Sequence, residues 1–279
     1  MPPAQSDPIV TLDGVEKRFT AGGATTAAVS GINLRIRPGE FVSLIGPSGC
    51  GKSTLLRIIG DLIEPTAGTV EVNGKPARRA RGDRDYGMVF QAPVLFDWRT
   101  IESNVELPLE VMGVARDQRR RRTGEMLALV ELSAFGGHHP WQLSGGMQQR
   151  AAIARALAFE PKLLLMDEPF GALDEMTRER MNDELLRIWE RTGTTIVFVT
   201  HSIPEAVFLS SRVVVMTPRP GRITNLIDVD LPRPRNEATR ESEAYFQLVT
   251  AVREALRSAH GGTIPGEEPL VADESVGAG

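Results

Sequence analysis

Cysteine is almost absent from this chain. Cys50 stands alone, so no disulfide can close within it, and a reducing compartment fits best. Long apolar runs are missing too: nothing approaches the roughly 18 residues that cross a bilayer. The opening residues, MPPAQSDPIV, lack the basic segment and apolar stretch of a secretion leader. A soluble chain is therefore expected, with any membrane role borrowed from a partner. Nor is there an excess of positive charge, since 32 Lys and Arg face 36 Asp and Glu for a net −4. That balance leaves no global basic footprint, and no nucleic-acid partner is expected. No internal repeat is found.

What is present is enough for a sizeable core. Of 279 residues, 41% are hydrophobic, which suits one large domain or two small lobes. The first forty residues read as short strands separated by turn glycines, at 9–12 and 31–36, the second alternating through Ile32, Leu34 and Ile36. An apolar strand at 41–45 leads to Gly46, and a helix is expected over 52–60. Further strands are expected at 69–72 and 87–90. From Gln91 to about Leu157 strand signals vanish and helices are expected at 101–112, 118–132 and 144–158. Alternation then resumes with strands at 162–166, 195–199 and 213–216 and a helix at 175–191 closed by Gly193. This pattern predicts an α/β fold with a mostly parallel core sheet covered by helices, into which a helical subdomain is inserted at about 92–158. The last residues, 260–279, are rich in Gly, Pro and acids and are expected to be a disordered tail.

Gly46-Pro47-Ser48-Gly49-Cys50-Gly51-Lys52-Ser53 matches G-x-x-x-x-G-K-[ST], between an apolar strand and a helix as that motif requires. Glycines let the backbone curl so that several N–H groups face one phosphate, and the helix start adds partial positive charge. Lys52 supplies a full charge to the β- and γ-phosphates. Ser53 is a magnesium ligand, and Thr54 can help hold the α-phosphate. Cys50 reads as a small tolerated residue of the loop. A second signal is Leu163-Leu164-Leu165-Met166-Asp167-Glu168, a buried strand ending in two carboxylates. Such a pair is costly unless something positive waits there, and Mg2+ is the natural partner. Asp167 would orient the metal, while Glu168, facing the other way, would accept a proton from an attacking water. The alternative is that both cap the turn begun by Pro169. His201 follows another apolar strand and either contacts the γ-phosphate or is structural. His138, His139 and His260 read as surface residues.

Leu143-Ser144-Gly145-Gly146-Met147-Gln148-Gln149-Arg150 puts a good N-cap and two exposed-backbone glycines at a helix start, a second anion site about a hundred residues from the first. This segment resembles the signature of ABC ATPases. That family's ordered set is present over 8–235: phosphate loop, Gln91 after a strand, signature, acidic strand end, Gly171-Ala172-Leu173-Asp174, then His201. The resemblance implies a P-loop NTPase core with an N-terminal antiparallel β subdomain, the inserted helical subdomain carrying the signature, and a helical extension at 236–259. It implies ATP and Mg2+ as cofactors, with Ser53, Gln91 and Asp167 at the metal and Glu168, His201 and Gln91 at the reacting water. Two copies, most simply a homodimer, would sandwich two ATPs head to tail. Ser144, Gly145, Gly146 and Gln148 would reach the ATP of the other copy, and Asp174 would communicate across the interface. Phe19 stands where the family usually stacks a tyrosine on adenine; the ring can still stack, without the hydroxyl.

One such set per chain looks like a bacterial importer. Residues 91–109, Arg219-Pro220-Gly221-Arg222-Ile223 and Asp230-Leu231-Pro232-Arg233-Pro234-Arg235 are similar to import ATPases of the nitrate/sulfonate/taurine type. That implies a peripheral subunit on the cytoplasmic face of the membrane, coupled to integral membrane permease subunits and indirectly to an extracytoplasmic solute-binding protein, for a small anionic solute. Phe96 and Trp98 would line a groove for the permease, or else pack inside the helical subdomain. The arginines at 119–122 would meet anionic headgroups or form a solvated helix face. The rival readings are an ABC exporter or lipoprotein-release ATPase, a non-transport ABC ATPase and a degenerate nucleotide-binding regulator.

Overall fold

The computed structural model describes residues 7–259. The tail expected at 260–279, with His260, lies outside them. In place of short N-terminal strands there are two long ones, β1 (Val10–Ala21) and β2 (Ala24–Ile36), joined by Gly22 and Gly23 at φ 57° and 81°. Their ladder changes register at Leu12/Val15, Val15/Lys17 and Lys17/Arg18. Each slip resets the period-2 pattern, and this hides the strands' length in the sequence.

β3 (Phe41–Ile45) runs into the glycine-rich loop and α1 (Lys52–Ile59). β4 (Ala67–Val72) and β5 (Lys75–Pro76) complete an antiparallel sheet of order β2-β1-β4-β5. A short α2 (Ala77–Gly82) precedes β6 (Tyr86–Val89). The helical insert follows: α3 (Ile101–Val111), α4 (Arg116–Leu129) and α5 (Gly145–Leu157). Thr100 caps α3 by accepting from the Ser103 N–H at 3.2 Å, and Ser144 caps α5. Next come β7 (Leu163–Asp167), α6 (Glu175–Thr192), β8 (Thr195–Val199), α7 (Ile203–Leu209), β9 (Arg212–Met216) and β10 (Ile223–Asp228). Gly193, at φ 63°, stops α6 in the left-handed conformation that ends many helices. α8 (Glu237–Arg240) and α9 (Glu243–Ala259) close the described chain. α2, α7 and β10 have no counterpart in the sequence reading, being short or, for β10, largely exposed and unpatterned.

The main sheet has the order β10-β9-β3-β8-β7-β6, parallel except for β10. β3, β7 and β8 are buried at every position, as strands covered on both faces must be. Alternate side chains feed two cores. Val42, Leu44, Leu165, Val197 and Val199 pack with α1 and the antiparallel sheet; Phe41, Ile45, Leu164, Met166 and Phe198 pack with the helical insert, α6, α7 and α9. Each fully buried side chain of this size contributes about 1.5–3 kcal/mol. Because β3, β7 and β8 are adjacent and parallel, the loop after β3, the acids after β7 and the histidine after β8 emerge at one edge. Ligands of open parallel sheets bind at that carboxyl edge.

Candidate functional site

The strand ends surround a cleft of about 450 Å3. Ser48, Gly49, Gly51, Lys52, Ser53 and Thr54 line it, with Phe19, Thr26, Ala28, Glu168, His201 and Arg219. Gly46, Pro47 and Cys50 lie behind the wall. Gly46 is needed there, since a Cβ would meet the Cys50 sulfur and the Met216 carbonyl, each at 2.9 Å. The buried Lys52 Nζ donates to the Gly46 and Pro47 carbonyls at 2.8 and 3.0 Å. Burial holds its pKa below the ordinary lysine value and pushes the Cys50 thiol up. Phe19, 46% exposed, stands at the cleft from β1, with Lys17 Nζ 5.1 Å from the ring centre.

Two pairs form on the cleft floor. The Ser53 hydroxyl donates to Asp167 Oδ1 at 2.7 Å, and Arg57 approaches Asp167 Oδ2 at 3.7 Å. Glu168 turns the other way, its Oε1 2.6 Å from His201 Nε2. Glu168 adopts φ 49°, which a non-glycine residue holds only where the surroundings fix it; here its N–H donates to the Val199 carbonyl at 3.1 Å. Glu168 and His201 also line a neighbouring cavity of about 340 Å3 with Gln91, Arg178, Thr200 and Glu205. The structure thus sets Gln91 in one cavity with Glu168 and His201. Buried Glu205 accepts from the Thr200 hydroxyl, and its backbone N–H is capped by Ser202 at 3.3 Å, so both neighbours of His201 are fastened to it. Burial raises the Glu205 pKa.

The signature segment lies apart from these groups. The Ser144 hydroxyl accepts from the Met147 N–H at 3.4 Å, and Ser144 and Gly145 are exposed. Gly146 and Gln148 turn inward. A Cβ on Gly146 would meet Thr177 at 3.4 Å, and the Gln148 amide donates to the Pro140 and Leu143 carbonyls at 2.9 and 3.2 Å. Asp174 caps α6 by accepting from the Thr177 N–H at 3.0 Å, a bond that lowers its pKa.

The sequence matches the family model for ABC transporters over residues 29–171. The chain belongs to the ABC transporter family. It is similar to the taurine import ATP-binding protein TauB of Pseudomonas fluorescens, 45% identical over 75% of this chain and 78% of that protein. It is also similar to the aliphatic sulfonates import ATP-binding protein SsuB of Bacillus cereus, 42% identical over 86% and 92%. The dimeric post-hydrolysis structure of an ATP-binding cassette bound to ADP and Pi superposes with a TM-score of 0.69 at 39% identity, covering 79% of this chain and 98% of that one. The resemblance drawn from the motifs is borne out, and the chain is an ABC-type transport ATPase that binds ATP. Among the described residues, no helix is long and apolar enough to cross a membrane.

Elsewhere on this ABC ATPase, Trp98 is 75% exposed while Phe96 is half-buried and packs against it, tilted by 50° with ring centres 4.9 Å apart. Within the arginine run, Arg119 pairs with Glu106 at 2.6 Å, and Arg122 donates to the Ala158 carbonyl at 3.0 Å while pairing with Glu125 and Glu160. His138 and His139 are half-buried instead of free at the surface, because Phe135 and Trp141 pack on their rings. The sequence reading missed Thr26, Ala28 and Arg219 as cleft residues. The only signal for Arg219 was the 219–223 segment, which had marked a subgroup and not a site.

Proposed function

We propose that two copies of this chain close head to tail over two ATP molecules and drive uptake of a small anionic solute, taurine- or sulfonate-like, through membrane permease subunits. The observation that carries this is a cleft complete on one side only. Lys52, Ser53, Asp167, Glu168 and His201 converge there, while the α5 N-terminus with exposed Ser144 and Gly145 is presented elsewhere on the same chain.

In this reading Gly46–Thr54 cradle the triphosphate, with Lys52 as the buried cation, and Phe19 stacks on the base. Glu168 accepts the proton of the attacking water, held in line by His201, with Gln91 reaching both from the adjoining cavity. Ser144 and Gly145, with the backbone N–H groups of Gly146 and the following turn, grip the partner's γ-phosphate, and Gln148 keeps that turn in shape. Asp174 relays closure across the interface. Mg2+ suits the donor set: Ser53 and Asp167 offer hard oxygen ligands already in contact, and magnesium takes one or two protein groups plus substrate phosphates. Among the described residues no cluster of three His, Cys, Asp or Glu would make an all-protein metal cage. When bound, the metal neutralises phosphate charge. Trp98, backed by Phe96, is the exposed aromatic anchor for a permease segment, and the extracytoplasmic binding protein acts through that permease. The site of action is the cytoplasmic face of the cell membrane. The similarity to taurine and aliphatic sulfonates import proteins supports the import direction and cargo class.

A complementation experiment tests the shared reaction centre. Ser144→Arg and Lys52→Ala should each abolish phosphate release alone. A mixture of the two should regain it, because one mixed site pairs an intact phosphate loop with an intact signature. A mixture as inactive as its parts would refute sharing in trans.

A further inference from the structure

The segment Arg219-Pro220-Gly221-Arg222-Ile223 has no part in the reading above, yet it lies against the phosphate loop. Residues 217–222, between β9 and β10, form a turn tied shut from within. The Thr217 N–H donates to the Arg222 carbonyl at 2.9 Å, the Arg222 N–H donates to the Thr217 hydroxyl at 3.0 Å, and that hydroxyl donates to the Pro220 carbonyl at 3.1 Å. The turn is fastened to β2, since the Gly221 N–H donates to the Ala28 carbonyl at 2.9 Å and the Ser30 N–H to the Gly221 carbonyl at 3.0 Å. It is also wedged under the loop: a Cβ on Gly221 would stand 2.0 Å from the Cys50 carbonyl oxygen. Only glycine fits so close an approach of two backbones.

Arg219 rides on this rigid turn. Its Nε and one terminal nitrogen both donate to the Gly49 carbonyl, at 3.2 and 3.1 Å. A guanidinium has five N–H donors, so this grip leaves others unspent, and among the described residues no carboxylate pairs with it. The side chain lines the cleft together with Lys52 and Ser48.

We infer that Arg219 is a nucleotide-contacting residue: it straps the phosphate loop through Gly49 and offers its remaining donors to the phosphate chain of the bound nucleotide. The inference deepens the nucleotide-cleft reading and rests on it. The phosphate chain is favoured over base and sugar because a guanidinium fork matches anionic oxygens best, and because its anchor is the phosphate loop itself. The turn holds the cation in place before ligand arrives, so little ordering is left to be done on binding.

Titration calorimetry with ATP and with ADP on the full chain tests this, using Arg219→Met, Arg219→Lys and, as a control, Lys52→Ala. Arg219→Met keeps the stem and removes every donor; it should weaken both nucleotides about tenfold, the scale of one charge-assisted contact. Arg219→Lys keeps the charge and should recover at least about a third of that affinity. If Arg219→Met binds both nucleotides within about twofold of the parent while Lys52→Ala does not, the inference fails and the cleft reading survives. If the Lys and Met variants are equally weak, charge toward the phosphates is not what Arg219 supplies, and the inference is again overturned. If Lys52→Ala also binds normally, the cleft reading falls and takes this one with it.

Discussion

Replacing Glu168 with glutamine removes one proton acceptor and almost no volume. The carboxylate touches His201 at 2.6 Å and belongs to no bond of the phosphate loop, so the amide should keep a hydrogen bond to the histidine and leave the backbone at residue 168 unchanged. What is lost is the base that the proposed mechanism requires. A positioned general base contributes about 10²–10⁴ in rate, or about 2.7–5.5 kcal/mol of barrier at 1.36 kcal/mol per tenfold. Phosphate release at saturating ATP should therefore fall at least about a hundredfold. Nucleotide affinity should move the other way. Glu168 places a negative charge on a cleft that receives a polyanion, and its field also acts on Lys52, so neutralising it should leave ATP affinity equal or tighter. Uncleaved ATP should also hold the closed pair together. Phosphate release, calorimetry and size-exclusion chromatography with ATP read these three effects on one preparation. Turnover within about threefold of the parent would remove Glu168 from its role. Weaker ATP binding would show that the carboxylate supports the cradle and not the water.

Two further outcomes follow from buried ionisable groups. Burial raises the Glu205 pKa above 4.5, so the folded chain holds that proton more tightly than the unfolded one, and ionisation costs stability as pH rises through the folded pKa. Glu205→Gln, which can still accept from Thr200, should raise the melting temperature at pH 8 with little gain near pH 4.5; a gain independent of pH would refute the burial argument. Arg235 is buried and donates to the Val207, Phe208 and Ser210 carbonyls at 3.1, 2.8 and 2.8 Å, closing the C-terminus of α7. Arg235→Met leaves these buried acceptors without partners and should cost about 3–5 kcal/mol, or about 10 °C of melting temperature; a shift under about 2 °C in calorimetry would show that the carbonyls find other donors.

The short-range chemistry was open to reading from the chain itself. A phosphate loop is legible because its glycines, Lys52 and Ser53 act at fixed spacing between a strand and a helix. Ser144 announces itself as a cap for the same reason, since the bond it makes spans three residues. The buried strands β3, β7 and β8 were readable as apolar runs, because burial on both faces leaves no polar position.

Contacts distant in sequence were decided by the fold alone. Ser53 meets Asp167 only because β3 and β7 each pair with β8 and end at one edge. Gln91 shares a cavity with Glu168 and His201, which lie far along the chain from it. Arg219 reaches Gly49 across 170 residues, and nothing in its local sequence says so. Local spacing fixes what one strand, loop or helix end can do by itself. Which of those ends face one another depends on strand order, and strand order is settled only when the whole sheet is packed.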